Sequence, residues 1–151
     1  VRNDVKETQD FLSRLDRPAI VAAIREAESK GLGEIRVHVH HGRVDDPRAA
    51  AEKVFVKLGM TATQHRTGCL LFIAPAERAF AVIGDTAIHE KVGDDFWLDA
   101  RDAAARHFVE GKFTEGIVAA VAKLGDALAA NFPRETGAKD VNELPDDVSE
   151  D

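Results

Sequence analysis

Apolar positions along this chain switch between a helical spacing and a strand spacing, and the switches outline its elements. Val5–Leu12 is polar-rich and reads as irregular chain or a short turn of helix. Ile20, Ile24 and Ala27 then recur at intervals of three and four, which puts them on one face of a helix. The start of that helix has two readings. Ser13 with Asp16 three residues on matches a capping box. Asp16 as N-cap with Pro18 in the first turn competes with it, and the proline favours this second start. Gly31 is expected to close the helix as a C′ glycine. From Glu34 to His40, Ile35, Val37 and Val39 alternate with Arg36, His38 and His40. This period of two predicts an edge strand with one apolar and one polar face and incomplete cover. Asp46-Pro47 opens a second helix as N-cap and first residue, with Ala50, Ala51, Val54, Phe55 and Leu58 as its buried stripe and Gly59 as its stop.

After the polar connection Met60–Thr67, the run Cys69–Ala74 is apolar throughout, the pattern of a central strand buried on both faces. Pro75–Arg78 is too short for a helix and predicts a hairpin turn into a further apolar strand, Ala79–Ile83, which Gly84-Asp85 ends. A third helix is predicted from Gly93-Asp94, with Asp94 as N-cap and Phe96, Trp97, Ala100, Ala104 and Phe108 as its core face. Gly111 breaks it, and Thr114 is expected to cap a last helix with the stripe Ile117, Val121, Leu124 and Leu128. Asn131-Phe132-Pro133 closes the domain. The strand–helix–strand unit makes the first two strands parallel, and the hairpin makes the third antiparallel, in the order 1-2-3. The chain thus divides into an irregular segment 1–12, an α/β domain 13–133 and an acidic, largely disordered tail 134–151, where Val141, Leu144 and Val148 are apolar points able to dock on the body.

Charge narrows the function classes. The net charge is −7, and −5 of it lies in residues 134–151. A near-neutral body with an acidic tail lacks the basic face that a nucleic-acid binder needs. No apolar stretch approaches the roughly 20 residues of a membrane span, and no signal peptide is visible, so a soluble, cytoplasmic monomer is expected. The chain begins at Val1, and a removed leader is the alternative. The single cysteine, Cys69, sits in an apolar run and reads as a buried structural thiol.

Several landmarks occur together in order. They are Gly33-Glu34-Ile35-Arg36-Val37, Val54-Phe55 to Leu58-Gly59-Met60, Thr63 to Arg66-Thr67-Gly68, and Leu70-Leu71-Phe72-Ile73-Ala74-Pro75. Ile83-Gly84-Asp85 to Ile88-His89-Glu90, Asp94-Asp95-Phe96-Trp97, Gly111-Lys112-Phe113 and Glu115-Gly116-Ile117 continue the pattern, and the tail Asp140–Asp146 matches short bacterial members. In this order the chain resembles the TPM domain family over about residues 10–148. The resemblance implies a Rossmann-like α/β/α sandwich whose small mixed sheet is flanked by four helices. It does not imply one activity, since members are linked to photosystem repair, acid phosphatase activity, divalent-metal binding or regulation of membrane proteins. Many relatives carry a membrane anchor, and none is expected in this sequence. Two positions depart from the pattern: the commoner Arg-Asn-Gly loop reads Arg66-Thr67-Gly68, and Thr86-Ala87 replaces the usual glycine after Gly84-Asp85.

The topology selects candidate chemistry. The end of strand three, Gly84-Asp85, should lie beside Gly33-Glu34 and Arg66–Gly68. Glu34, Asp85, His89, Glu90 and Asp94 would converge there, and clustered carboxylates invite Ca2+ or Mg2+ as cofactor. Asp85 as carboxylate and Arg66 as phosphate-binding cation are the candidate catalytic residues for a phosphatase. The competing reading has Asp85 and Asp94 capping helical turns, Glu34 solvated, and Glu90 paired with Lys91 or Lys53. The opposite sheet end offers His38, His40, His41, Asp45 and Asp46, with His38 and His40 on one face able to grip a transition metal; there the competing reading is a polar strand face. There is no GxxxxGK[ST] loop, GxGxxG fingerprint or serine elbow. Three functions follow: a divalent-cation-binding domain acting as a regulatory or proteostasis factor, a weak metal-dependent acid phosphatase, or a non-catalytic protein-interaction module with a partner the sequence does not name.

Overall fold

The computed structural model describes residues 4–134 and 147–151. Four strands form one mixed sheet in the order β3-β2-β1-β4: β1 Ile35–Val39, β2 Cys69–Ala74, β3 Ala79–Gly84 and β4 Val148–Glu150. β1 pairs parallel with β2, Ile35 opposite Cys69, and β2 pairs antiparallel with β3, Ala74 opposite Ala79. Six helices surround the sheet: α1 Asp4–Ser13, α2 Arg17–Lys30, α3 Pro47–Lys57, α4 Thr86–Val92, α5 Asp94–Phe108 and α6 Phe113–Asn131.

β2 divides the core. Cys69, Leu71 and Ile73 face a cluster with Ile20 and Ile24 of α2, Trp97 and Ala100 of α5, and Ile117, Val121 and Leu124 of α6. Leu70, Phe72 and Ala74 face Ala51, Val54 and Phe55 of α3. Period-two geometry sends alternate side chains to opposite faces, so a strand apolar at every position needs helices on both sides. Burying each of Leu70, Leu71, Phe72 and Ile73 contributes about 1.5–3 kcal/mol.

Several expectations change in physical detail. The start of the chain is helical: α1 forms because Phe11, 5% exposed, packs on the rings of Phe108 and Phe113. Asp16 does cap α2, accepting from the Ala19 N–H at 3.1 Å. Gly31 is not left-handed; its φ is −151°, and a Cβ there would stand 2.6 Å from the Leu128 carbonyl carbon, so α6 backbone requires the missing side chain. Pro75–Glu77 is a single 3₁₀ turn, and Arg78 leaves it in the left-handed region at φ 51°. A further helix, α4, precedes α5, so Asp94 is the first helical residue of α5 and Gly93 its N-cap. Lys112 occupies the N-cap of α6, and the Thr114 hydroxyl instead accepts from the Asp16 N–H at 3.0 Å.

The largest change concerns β1. It is an interior strand, because β4 pairs parallel with it, Val37 opposite Val148. Val148 is 6% exposed and joins the core, as its apolar character suggested, and the end of the acidic segment is ordered strand. Val141 and Leu144 lie outside the described residues. No helix among the described residues is long and apolar enough to cross a membrane.

The Gly31 contact is directly testable. Gly31→Ala should lower stability by about 1–3 kcal/mol through overpacking against α6, read as a lower urea midpoint with an unchanged slope. An unchanged midpoint would show that the α2–α6 approach is looser than described.

Candidate functional site

The sheet topology brings Asp85 back to the start of β2, as its antiparallel partner β3 requires. The Asp85 N–H donates to the Gly68 carbonyl at 2.8 Å, and the Ala87 N–H to the Arg66 carbonyl at 3.0 Å. Arg66 is left-handed, φ 56°, which turns its side chain onto Asp85. Arg66 Nε donates to Asp85 Oδ2 at 2.6 Å and Arg66 Nη2 to Asp85 Oδ1 at 2.8 Å. Asp85 Oδ1 also accepts from the Thr86 N–H at 2.7 Å, capping α4. The Asp85 side chain is 4% exposed and that of Arg66 45%. The carboxylate beside it raises the Arg66 guanidinium above its ordinary range. Thr67 is buried, and its hydroxyl donates to the Leu32 carbonyl at 2.7 Å.

The other predicted ligands are arranged differently. His89 Nδ1 accepts from Trp97 Nε1–H at 2.9 Å, and indole is a donor only, so a neutral His89 carries its proton on Nε2. That nitrogen lies 3.6 Å from Asp94 Oδ1. Glu34 is buried at 4% exposure instead of solvated. Glu90 is exposed on α4 and forms no ion pair with Lys91 or Lys53. The structure therefore joins Arg66 to Asp85 and His89 to Asp94. Among the described residues no group of three or more His, Cys, Asp or Glu side chains is disposed to hold a metal ion. A cleft of about 270 Å³ adjoins this corner, with Glu52, Asp85, Thr86 and His89 among its walls. Burial, with the Asp85 and Glu28 charges, pushes the Cys69 thiol well up, which makes it inert.

At the opposite end, β4 answers the histidines. His38 Nδ1 bonds with Ser149 Oγ at 2.7 Å, His40 Nδ1 with Asp151 Oδ2 at 2.7 Å, and His41 Nε2 with Glu150 Oε1 at 3.0 Å. His38 Nε2 stands 3.1 Å from the same Asp151 oxygen without hydrogen-bond alignment. Arg17 Nη2 donates to Glu150 Oε2 at 2.6 Å and pairs with Asp147 at 3.8 Å. Asp46 caps α3, accepting from the Arg48 and Ala49 N–H groups, and Asp45 is exposed. Sequence spacing missed this clasp because its partners are about 110 residues apart; the one available signal was a polar strand face opposite a surplus of acids.

Two predictions follow from these geometries. Asp85→Ala removes the α4 cap, a loss of about 1 kcal/mol, visible as faster amide exchange in Thr86–Val92; unchanged exchange would mean that α4 does not depend on the cap. The clasp should loosen in acid. Bonds from His41 and Arg17 hold Glu150 below its ordinary 4.5. Burial pushes Asp151 up, but the bonds from His40 and the His41 N–H, with His38 close by, outweigh it and hold it below 3.8. Burial, with the His40 and Arg36 charges, keeps His38 below 6.5 despite Asp151. All three depressed groups take up protons more readily undocked, so acidification favours release. Protection factors of the Ser149–Asp151 amides, which allow for the intrinsic slowing of exchange in acid, should fall below pH 6.5 and further through the carboxylate range, with those of β2 unaffected. Exchange of β2 and β4 together would contradict a local release.

Comparison with known proteins agrees with this fold. The BA42 protein from the psychrophilic bacterium Bizionia argentinensis is 38% identical over 89% of this chain and 92% of its own, with a TM-score of 0.81. The N-terminal domain of the cg2496 protein from Corynebacterium glutamicum shares the fold at 19% identity and a TM-score of 0.58, over 82% of this chain and 76% of its own. No curated protein matches the chain. The TPM domain family matches residues 5–127, which is most of the chain, and the chain belongs to that family.

Proposed function

We propose that this chain is a non-catalytic protein-interaction domain that takes an extended segment of a partner along β3. One observation carries the reading. The 270 Å³ cleft is walled by Phe55 and Val56 of α3 from one helical layer and by Trp97 of α5 from the other, with Ile83 and Gly84 between them. The cleft reaches both layers at the carboxyl end of β3, which is the last strand of the sheet on that side. The Asp85 N–H points inward to Gly68, so the alternation of an extended strand turns the N–H groups of Phe80, Val82 and Gly84 outward. β3 carries no charge and no proline, the devices that usually blunt such an edge. Val56, 65% exposed, offers an apolar side-chain contact beside it. Strand addition of this kind draws affinity from main-chain bonds and specificity from flanking pockets.

A hydrated divalent cation in the same cleft is the second reading. It is favoured by the oxygen-bearing walls Glu52, Thr61, Asp85 and Thr86 beside His89. Magnesium in particular retains most of its water and needs only one or two carboxylates. A phosphatase fits less well: both Asp85 oxygens already accept hydrogen bonds from Arg66, and one also from Thr86, which leaves a poor nucleophile.

Selection of displayed random peptides against the whole chain tests the first reading. Bound peptides should shift the amides of Phe80, Val82 and Gly84, and Val56→Asp should weaken them about tenfold. Peptides that shift only other residues, or no selectable peptide, would overturn it. Saturable shifts with millimolar magnesium or calcium, confined to Glu52 and Asp85–Asp94, would establish the cation instead.

A further inference from the structure

A larger cavity, about 540 Å³, opens at the other end of the β2–β3 pair, between α1, the 3₁₀ turn and the α5–α6 junction. It lies beyond the carboxyl end of β2, where open α/β sheets commonly hold ligands, and its size is that of a small-molecule site. Phe11, Phe80, Phe108 and Phe113 line it. Their rings meet edge to face, Phe80 on Phe108 at 5.1 Å between centroids and Phe11 on Phe108 at 6.0 Å. Such a cluster accepts a further aromatic ring in the same geometry.

Two arginines, Arg14 and Arg78, and two carboxylates, Glu7 and Asp10, stand at this cavity, and the arginines differ. Arg14 is committed: it donates to the Gly111 carbonyl at 3.0 Å, lies 4.5 Å over the Phe113 ring and pairs with Asp10 at 3.7 Å. Arg78 is exposed, and among the described residues its guanidinium has no hydrogen bond or ion pair. Its backbone is left-handed, φ 51° and ψ 38°, a conformation that glycine adopts at no cost and arginine does not. A side chain that is charged and unpaired at the mouth of an aromatic cavity is suited to an anion. Val109, 85% exposed, extends the apolar lip.

We propose that this cavity binds an aromatic carboxylate, with the aryl body among the four phenylalanines and the carboxylate on the Arg78 guanidinium. The site is separate from the β3 edge cleft and shares no lining residue with it.

The test uses the whole chain and three probes: 3-phenylpropionate, its neutral amide and decanoate, each titrated while amide shifts are followed. Phenylpropionate should give saturable shifts in Phe11–Arg14, Pro75–Phe80 and Phe108–Phe113. The amide should bind about tenfold more weakly. Arg78→Gly should lose the same factor for the acid and abolish the difference between acid and amide. Because glycine suits this backbone, that variant should melt no lower than the parent, so lost binding cannot be attributed to misfolding. Arg78→Lys should retain most of the preference for the acid. Equal binding of acid and amide, shifts outside these segments, or no saturation at millimolar ligand would overturn the proposal. Tighter binding of decanoate would overturn the aromatic assignment.

Discussion

From Cys69 to Ala74 the most exposed residue, Ile73, shows 2% of its surface, and the burial of this one strand on both faces organises everything around it. Neither helical layer can be dispensed with, because alternate residues face opposite ways. The strand must also have its backbone groups paired on both edges, which β1 and β3 supply. β1 then has an outer edge of its own, and β4 covers part of it. β3 has the remaining outer edge, and the cleft lies at its carboxyl end. The two cavities flank the same strand pair, one at each end.

At the ends of β2 the apolar solution fails and polar groups take over. The Gly68 end is closed by Arg66 and Asp85, a bidentate pair whose buried member also starts α4. A carboxylate 4% exposed costs free energy unless it is bonded, and here three N–H groups meet it. The fold thus uses Asp85 as an anchor. This commitment argues against Asp85 as nucleophile.

The β2–β3 pair, the parallel β1–β2 crossover and the bodies of α2, α3, α5 and α6 were legible because each is a local pattern of spacing and caps. The adjacency of Arg66 and Asp85 was also legible, from the reversal of β3 alone. Its meaning was not: two groups placed side by side by topology are as able to neutralise each other as to share a ligand, and only the side-chain geometry decides. α1 and α4 were missed because they are short and weakly apolar, and depend on Phe11 and Ile88 reaching a distant core. β4 was illegible for a different reason. Three residues pairing with β1 from more than 100 positions away carry no local period, and the histidines that hold them looked like a solvated strand face.

The central claim is that Asp85 belongs to Arg66. The most direct measurement is the side-chain Nε–H resonance of Arg66, followed by NMR with and without millimolar magnesium. A guanidinium held by the buried carboxylate should give a slowly exchanging, displaced Nε–H signal that magnesium leaves in place. A signal that exchanges like a free arginine, or that magnesium releases, would show instead that Asp85 is available to a ligand.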